Sequence, residues 1–213
     1  MGSCNLTAME TTRSKVVLVE NVPEFRRWIL FPAWCDSMNR LGYAVAPHFV
    51  DAADHGVPQH RKRLFLVCTQ SKYPIELKFS ERAKNPISDV LEWDRHAWTP
   101  ISRPGRSPKT LQRVAAGRTT FGRRFVAPFY TSGSGLTGRS IDRPIGTLTT
   151  RDRWAVIDGD RMRMLQVSEA KKAMGFTDDY ILPHGHRDAM FMLGNAVCPP
   201  VATDLIAAVR AAL

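Results

Sequence analysis

The sequence contains two sets of charged residues whose positions could support chemistry. Glu20 directly follows the apolar run at 16–19, and ligands in open α/β sheets bind just beyond the carboxyl ends of the strands. Arg61 and Arg63 alternate in Gln59-His60-Arg61-Lys62-Arg63, which predicts that both side chains leave one side of the following strand and suit a base and a neighbouring phosphate. Taken singly, these patterns also fit a loop carboxylate and arginines that pair with surface acids.

A third candidate is the stretch 194–202, Gly-Asn-Ala-Val-Cys-Pro-Pro-Val-Ala. Paired prolines suit the first turn of a helix, so the stretch predicts a turn that directs a helix N-terminus towards whatever it contacts. The plainer interpretation is a rigid loop before a C-terminal helix.

The residues around the first two sets have the pattern of an α/β sheet. The run at 16–19 is mostly β-branched and predicts a strand buried on both faces, as in a parallel sheet. A helix is predicted over 32–40, with Gly42 just past its end, and further strands are predicted over 43–50 and 64–67. Together these elements indicate part of an α/β sheet.

The pattern becomes irregular from about residue 71 to residue 140. Pro and Gly multiply, and two short apolar stretches, 125–130 and 145–149, flank the Gly/Ser-rich segment 131–138. This composition predicts a small domain of short strands and long loops. Helical periodicity returns at 167–174 and again at 200–212, where Val201, Leu205, Ile206 and Val209 are predicted to share one buried face.

The positive charge is concentrated in one window. The chain has 213 residues and a formal charge of +10, and residues 95–153 contain twelve Lys+Arg, eleven of them Arg, against two acidic residues, so the remainder is neutral. A solvated basic face is one interpretation. A surface for a polyanion is favoured, because arginine forks onto phosphates and guanine edges.

Several classes of protein are disfavoured by composition. Neither an 18-residue apolar run nor a secretory signal is found in the sequence, and the four cysteines are scattered without a Cys-x-x-Cys pair, which favours a reducing, cytoplasmic compartment. His184 and His186 have no further ligands nearby, so a metal site is not expected.

In this order, the motifs resemble those of the cytosine-C5 DNA methyltransferases. The family's Glu-Asn-Val motif resembles residues 20–22, its Gln-x-Arg-x-Arg motif resembles 59–63, its Arg-Pro-x-x-Thr-x-Thr entry resembles 143–149, and its Gly-Asn-x-Val-x-x-Pro motif resembles 194–200. One departure is Gln166-Val167-Ser168-Glu169, where the family commonly has Thr-Pro-Arg-Glu.

The resemblance implies an α/β fold that comprises the C-terminal part of a Rossmann-like methyltransferase sheet plus a small irregular target-recognition domain. The expected ranges are 1–70 for a partial catalytic domain, 71–165 for target recognition and 166–213 for the return to the catalytic domain. The family's Gly-rich turn for S-adenosylmethionine and its Pro-Cys nucleophile are not found among these residues, and none of the four cysteines follows a proline. We therefore expect one subunit of a split enzyme, completed by a second polypeptide that supplies both motifs.

The resemblance also implies residue roles. Glu20 would stabilise N3 of a flipped cytosine, a role that burial of its carboxyl would favour. Arg63 would contact the cytosine O2, and Arg61 would support the nucleophile loop or a phosphate. The remaining implied site residues are Asn21 and Gln59 as structural supports, Asn195 and Val197 in the cofactor pocket, and Arg118, Arg123, Arg124 and Arg139 against double-stranded DNA.

Two alternatives remain open from the sequence. A catalytically inactive DNA-binding remnant or regulator would retain the recognition domain, although the presence of Glu20, Arg61, Arg63 and Asn195 argues against decay. RNA is a further substrate class, because the family includes tRNA-modifying relatives. The large basic insert favours duplex DNA.

Overall fold

The computed structural model describes residues 2–80, 82–129, 138–151 and 153–213, with side chains described from residue 7 onward. Contacts divide the chain into two compact units. The first unit comprises residues 1–51, 62–81 and 201–213, and the second comprises 52–61 and 82–200. The ranges with boundaries at 70 and 165 are assigned by expected function and not by contacts, so they stay a prediction.

The first unit is built on a three-stranded sheet in the order β1-β3-β2. Its elements are α1 (Gly2–Thr12), β1 (Val16–Asn21), α2 (Phe31–Arg40), β2 (Ala44–Asp51), β3 (Lys62–Thr69) and most of α6 (Pro199–Ala212). The predicted strands and the helix at 32–40 are confirmed, and Gly42 has φ +90° just beyond α2. The lead-in before residue 13 is helical, which the sequence did not predict, and its Met9 is buried in the core.

The strand directions correct one sequence prediction. Both β1 and β2 pair with β3 in antiparallel register, whereas the apolar runs had suggested a parallel sheet. An apolar run reports burial and not pairing direction. Of the three strands in the first unit, only β3 is almost continuously buried, while Leu18 in β1 is exposed, so the expectation that β1 is covered on both faces is also wrong for the described residues.

The core of the first unit lies between the sheet and α2. Phe31, Trp34 and Met38 recur at helical spacing on α2 and are buried with Leu64 and Leu66 of β3. On α6, Val201, Leu205 and Val209 are buried as predicted, but Ile206 is exposed.

The second unit contains a five-stranded sheet in the order β4-β8-β7-β5-β6, with every pair antiparallel. Its elements are β4 (Thr99–Pro100), α3 (Pro108–Phe121), β5 (Arg124–Pro128), β6 (Arg139–Ser140), β7 (Trp154–Asp158), β8 (Arg161–Met164), α4 (Val167–Ala173) and α5 (His186–Asn195). The predicted helix at 167–174 is confirmed as α4, and Gly175 follows it with φ +79°. The Gly/Ser-rich segment 131–138 lies, except for Gly138, outside the described residues.

Helix α3 falls within the range that the sequence predicted to be irregular. Its buried positions are Thr110, Val114 and Gly117, which are too small and too polar to give an apolar helical pattern. The Phe125 ring of β5 occupies the space beside Gly117, where a Cβ would clash with it. The helix is therefore held by a large side chain from its partner strand.

Among the described residues, the segment His186–Ala212 is long and apolar enough to cross a membrane. This is weak evidence for a span, because the segment consists of two helices interrupted at 196–198 and because Val201, Leu205 and Val209 are core residues.

Candidate active site and nucleic-acid interface

Glu20 and Arg63 form an ion pair within the first unit. Antiparallel pairing places the end of β1 beside the start of β3, and Glu20 Oε1 lies 2.9 Å from Arg63 Nε. Arg63 also donates from Nη1 to the Lys62 carbonyl at 2.8 Å. A guanidinium has five N–H groups, so the arginine can pair with the carboxylate and still donate to a further acceptor.

The Glu20 carboxyl is less enclosed than the sequence suggested. Its side chain is 28% exposed and that of Arg63 is 18% exposed, so the expected burial of Glu20 is not observed in the first unit. Asn21 lies next to it, and its Oδ1 accepts a hydrogen bond from the Val22 backbone N–H at 2.8 Å. The side chain of Asn21 thus caps the turn that follows β1.

Gln59 is completely buried in the second unit. Its Oε1 accepts a hydrogen bond from Leu148 N at 2.7 Å, and its Nε2 donates to the Ala173 carbonyl at 3.1 Å. The neighbouring backbone continues this link, because His60 N donates to Ile145 O at 2.7 Å. The stretch 143–149 is therefore joined to residues 58–60 by hydrogen bonds and forms an isolated bridge instead of a regular strand.

Arg61 is also buried, although it had been expected to reach the nucleophile loop or a phosphate. Nη1 donates to Leu148 O at 3.0 Å, and Nη2 donates to Gly194 O at 2.8 Å and Ala196 O at 2.9 Å. A guanidinium enclosed by three carbonyls is not placed to contact solvent-exposed phosphate. Within the second unit, Arg61 fixes the turn that carries Asn195, so its described contacts are those of a positioning residue.

The turn at 194–198 requires glycine at its first position. A Cβ on Gly194 would clash with the backbone at Thr149 and Thr150, so no larger residue fits without displacing the chain. The adjacent Asn195 is exposed and donates from Nδ2 to Phe191 O at 3.1 Å, while Val197 is half-buried.

Asn195 also borders an open groove of about 260 Å³ in the second unit. The other lining residues are largely apolar: Phe176, Tyr180, Leu182, Phe191, Met192, Leu193 and Ala196. One amide beside aromatic and aliphatic side chains fits one wall of a site for a cofactor with apolar and polar parts. Val197 is not among the lining residues.

Three of the arginines predicted to bind DNA lie around the β7–β8 turn. Arg118 donates to Asp160 Oδ1 at 2.7 Å and to the Gly159 carbonyl. Arg123 and Arg124 both donate from Nε to Asp158 Oδ1, at 2.9 and 3.2 Å. The structure thus brings together residues from α3, β5 and the hairpin.

Arg139 lies apart from that group in its contacts. Its guanidinium carbon is 5.6 Å from the Trp154 ring centroid, and Arg139, Arg143 and His60 line an open cavity of about 670 Å³. Arg143 and His60 were not assigned to DNA in the sequence analysis. Arg143 is four residues from Arg139 in the chain, whereas the proximity of His60 to Arg139 depends on the hydrogen bonds between the 58–60 and 143–149 segments.

Sequence reasoning also missed a buried ion pair. Arg163 Nη2 and Nη1 donate to the two oxygens of Glu169 at 2.6 and 2.7 Å, and both side chains are almost inaccessible. Glu169 further accepts from the backbone N–H groups of Glu92 and Gln166 at 2.7 and 2.9 Å. The spacing of Gln166 and Glu169 is that of a capping box, which was the available signal despite the departure from the family's Thr-Pro-Arg-Glu.

Glu92 forms a second charged cluster with residues of α4 and with His96. It accepts hydrogen bonds from Lys172 at 2.9 Å, Ser168 at 2.8 Å and His96 at 2.7 Å. Burial alone would raise the pKa of Glu92, but the hydrogen bonds from Lys172, Ser168 and His96 lower it to about 2. The carboxylate is therefore held in its charged form.

Acidification is expected to destabilise the second unit through Glu92 and Asp158, whose pKa is likewise lowered to about 2. Because the folded pKa lies below the ordinary values of 4.5 and 3.8, their contribution is complete above those values and is lost as the pH falls towards 2. Urea unfolding between pH 6 and pH 2.5 measures this loss. The Glu92→Gln, Asp158→Asn double variant should show a flatter pH dependence, and an unchanged slope would contradict the assignment.

The cysteines whose side chains are described do not have the character of a nucleophile. Burial raises the pKa of Cys68 to about 12 and also raises the pKa of Cys35. Cys198 is buried, with its Sγ 3.9 Å from Met174 Sδ. Nucleophilic cysteines react as thiolates, so these three fit packing roles. Over the same described residues, groups of three or more metal-ligating side chains are not found.

The chain is similar in fold to solved methyltransferase structures. It superposes on the methyltransferase EhMeth of Entamoeba histolytica with a TM-score of 0.59 at 18% identity, covering 92% of this chain and 62% of that one. For a DNMT2 mutant of Spodoptera frugiperda the TM-score is 0.65 at 14% identity, with 97% and 70% covered. At such identities the likeness shows the fold alone, and the predicted α/β methyltransferase class is confirmed.

The chain is also similar in sequence to curated Type II methyltransferases. Type II methyltransferase M.MspI of Moraxella sp is 28% identical over 210 residues, which are 96% of this chain and 48% of that protein. Type II methyltransferase M.HhaI of Haemophilus parahaemolyticus is 25% identical over 202 residues, covering 87% and 60%. The chain spans about half the length of M.MspI and of Type II methyltransferase M.AplI of Arthrospira platensis. Because residues 6–211 match the C-5 cytosine-specific DNA methylase family and the fold agrees, this chain belongs to that family.

Proposed function

We propose that this chain takes part in methyl transfer to C5 of cytosine in DNA, with Glu20 and Arg63 holding the target base. The observation that carries the proposal is their 2.9 Å ion pair at the junction of β1 and β3 in a member of this family. An acid and a guanidinium side by side match the ring edge of cytosine, which presents N3 and O2 as acceptors and N4 as a donor.

The proposed chemistry begins with a thiolate that forms a bond to C6 of a flipped cytosine. The electron pair of the C5–C6 double bond moves into the ring, and Glu20 in its protonated form stabilises the charge at N3 by donating a proton there. Arg63 donates a hydrogen bond to O2, and Asn21 holds the turn beside Glu20. S-adenosylmethionine, when bound, would supply the methyl group that C5 takes, and loss of the C5 proton with cleavage of the C6–S bond would restore the ring double bond and free the thiolate.

We further propose that the thiolate and the Gly-rich cofactor turn come from outside these 213 residues, in a second polypeptide. Two observations support this. No cysteine in this sequence follows a proline. The β1 edge of the first unit, with exposed Leu18 and Val22, is a template for further strand pairing. Asn195, on the turn fixed by Arg61, would form one wall of the completed cofactor pocket.

Co-expression tests the proposal. The partner is a polypeptide carrying the Gly-rich and Pro-Cys motifs, and incorporation of labelled methyl groups into duplex DNA is measured for each chain and for the mixture. We expect activity in the mixture alone. Activity of this chain by itself would refute the need for an external thiolate, and DNA binding without methylation in the mixture would favour an inactive, DNA-binding role. Methylation of tRNA in place of DNA would reassign the substrate.

A further inference from the structure

The hairpin between β7 and β8 places one acid beside three arginines, from the α3–β5 turn, from β5 and from β8. Asp158, the last residue of β7, is buried and accepts hydrogen bonds at both oxygens. Oδ1 accepts from Arg123 and Arg124, and Oδ2 accepts from Arg161 Nη2 at 2.7 Å and Nε at 3.2 Å. Asp158 and Arg161 were not assigned any function from the sequence.

This cluster has an excess of positive charge at the surface. Three guanidinium groups share one carboxylate, so the set carries +2, and the side chains of Arg123, Arg124 and Arg161 are 74%, 47% and 45% exposed. The three guanidinium groups would repel one another if no anion lay between them. The buried carboxylate supplies that anion from beneath, while the outer side of the cluster contacts solvent.

Aromatic rings fix the planes of two of these arginines. Arg124 lies over the Trp93 ring, with its guanidinium carbon 4.5 Å from the centroid, and Arg161 lies over Trp98 at 4.7 Å. The two indoles are themselves stacked, with centroids 6.1 Å apart and planes 9° from parallel. Stacking of this kind restricts the guanidinium groups before any ligand binds, which lowers the entropy lost on binding.

We propose that Asp158 positions Arg123, Arg124 and Arg161 as a clamp for the phosphodiester backbone of the nucleic acid. The clamp rests on the proposed function in that DNA is the expected ligand. Its exposed side presents N–H donors, which suit the oxygens of phosphate and would contact DNA without reading its sequence. Residues 95–153, which include Arg123 and Arg124, carry the whole charge excess of the chain, and this favours a polyanion over an acidic peptide.

Positioning by Asp158 and attraction by net charge alone predict opposite effects of one substitution on DNA binding. Asp158→Asn removes the one negative charge of the cluster and so raises its net charge from +2 to +3, and a purely electrostatic patch would therefore bind DNA more tightly. If Asp158 positions the arginines, the same variant binds DNA about 3- to 10-fold more weakly. Asp160→Asn is the matched control, because it makes the same charge change two residues away at an exposed side chain and is expected to bind as tightly as the parent or more tightly.

The experiment uses the co-expressed complex and fluorescent 20-base-pair duplexes of several sequences, with the Kd measured between 50 and 200 mM salt. Arg123→Ala and Arg161→Ala alter exposed side chains and remain informative if Asp158→Asn does not fold. Each should weaken binding to all sequences alike and reduce the salt slope by about 1. Tighter binding by Asp158→Asn, a changed sequence preference in Arg123→Ala, or unchanged Kd values in both arginine variants would overturn the clamp.

Methylation, measured on the same complexes, separates this proposal from the proposed function. Methyl transfer with Kd values that are insensitive to the arginine variants would refute the clamp and retain the enzyme. Weakened DNA binding in a complex that never methylates would retain the clamp and refute the enzyme.

Discussion

Glu20→Gln is expected to slow methyl transfer in the assembled enzyme by roughly 10²–10⁴-fold, or about 3–5 kcal/mol of barrier. The amide has the size of the carboxyl and can still donate a hydrogen bond, but it cannot give a proton to N3 as the thiolate adds to C6. The rate of a single turnover, with labelled S-adenosylmethionine and DNA both saturating, measures the chemical step.

Glu24→Gln is the matched control for this variant, because Glu24 is exposed and lies four residues further along the chain. It should retain the parent rate. The ion pair that Glu20 loses with Arg63 is partly exposed and contributes up to about 1 kcal/mol to stability, so the fold should survive. A rate for Glu20→Gln within twofold of the parent would remove Glu20 from the mechanism.

Glu169→Gln is expected to lower the free energy of unfolding by about 3–5 kcal/mol. Glu169 and Arg163 are both buried and form two hydrogen bonds with each other, and the same carboxylate accepts from two backbone N–H groups. An amide at this position leaves the Arg163 charge uncompensated and turns an NH₂ group towards donors that need an acceptor.

Urea unfolding followed by tryptophan fluorescence would measure this effect, since Trp93, Trp98 and Trp154 lie in the same unit as the pair. Glu24→Gln again provides the comparison, and its free energy of unfolding should lie within about 0.5 kcal/mol of the parent. A loss below 1 kcal/mol for Glu169→Gln would show that the pair does not hold β8 to α4.

The sequence predicted the elements whose signals are local. The apolar runs, the proline in the first turn of α2 and the glycines after α2 and α4 gave the positions of β1, α2, β2, β3 and α4. Helix α3 was missed because its buried residues are small, and its packing depends on Phe125 of a strand that lies beyond its own C-terminus. The antiparallel directions were missed because burial alone produces the same apolar run in either direction.

For the candidate site, too, the sequence predicted some features and missed others. Residue types and motif order were sufficient to single out Glu20, Gln59, Arg61, Arg63 and Asn195 and to predict the family. They gave Arg63 to the cytosine and Arg61 to the nucleophile loop or a phosphate, but they did not predict the contacts that each arginine makes. Arg63 pairs with Glu20, whereas Arg61 is buried and bonds to Leu148, Gly194 and Ala196.

The sequence by itself therefore determined which chemical groups this protein has and which family it resembles, because those properties belong to single residues and short motifs. Only the tertiary structure decided what each charged group contacts. The acceptors of Arg61 lie 87 to 135 positions away along the chain, and Arg123 and Arg124 lie 35 and 34 positions from Asp158, to which both donate. Burial and charge pairing at such separations depend on how the elements pack, and no local pattern of residues records it.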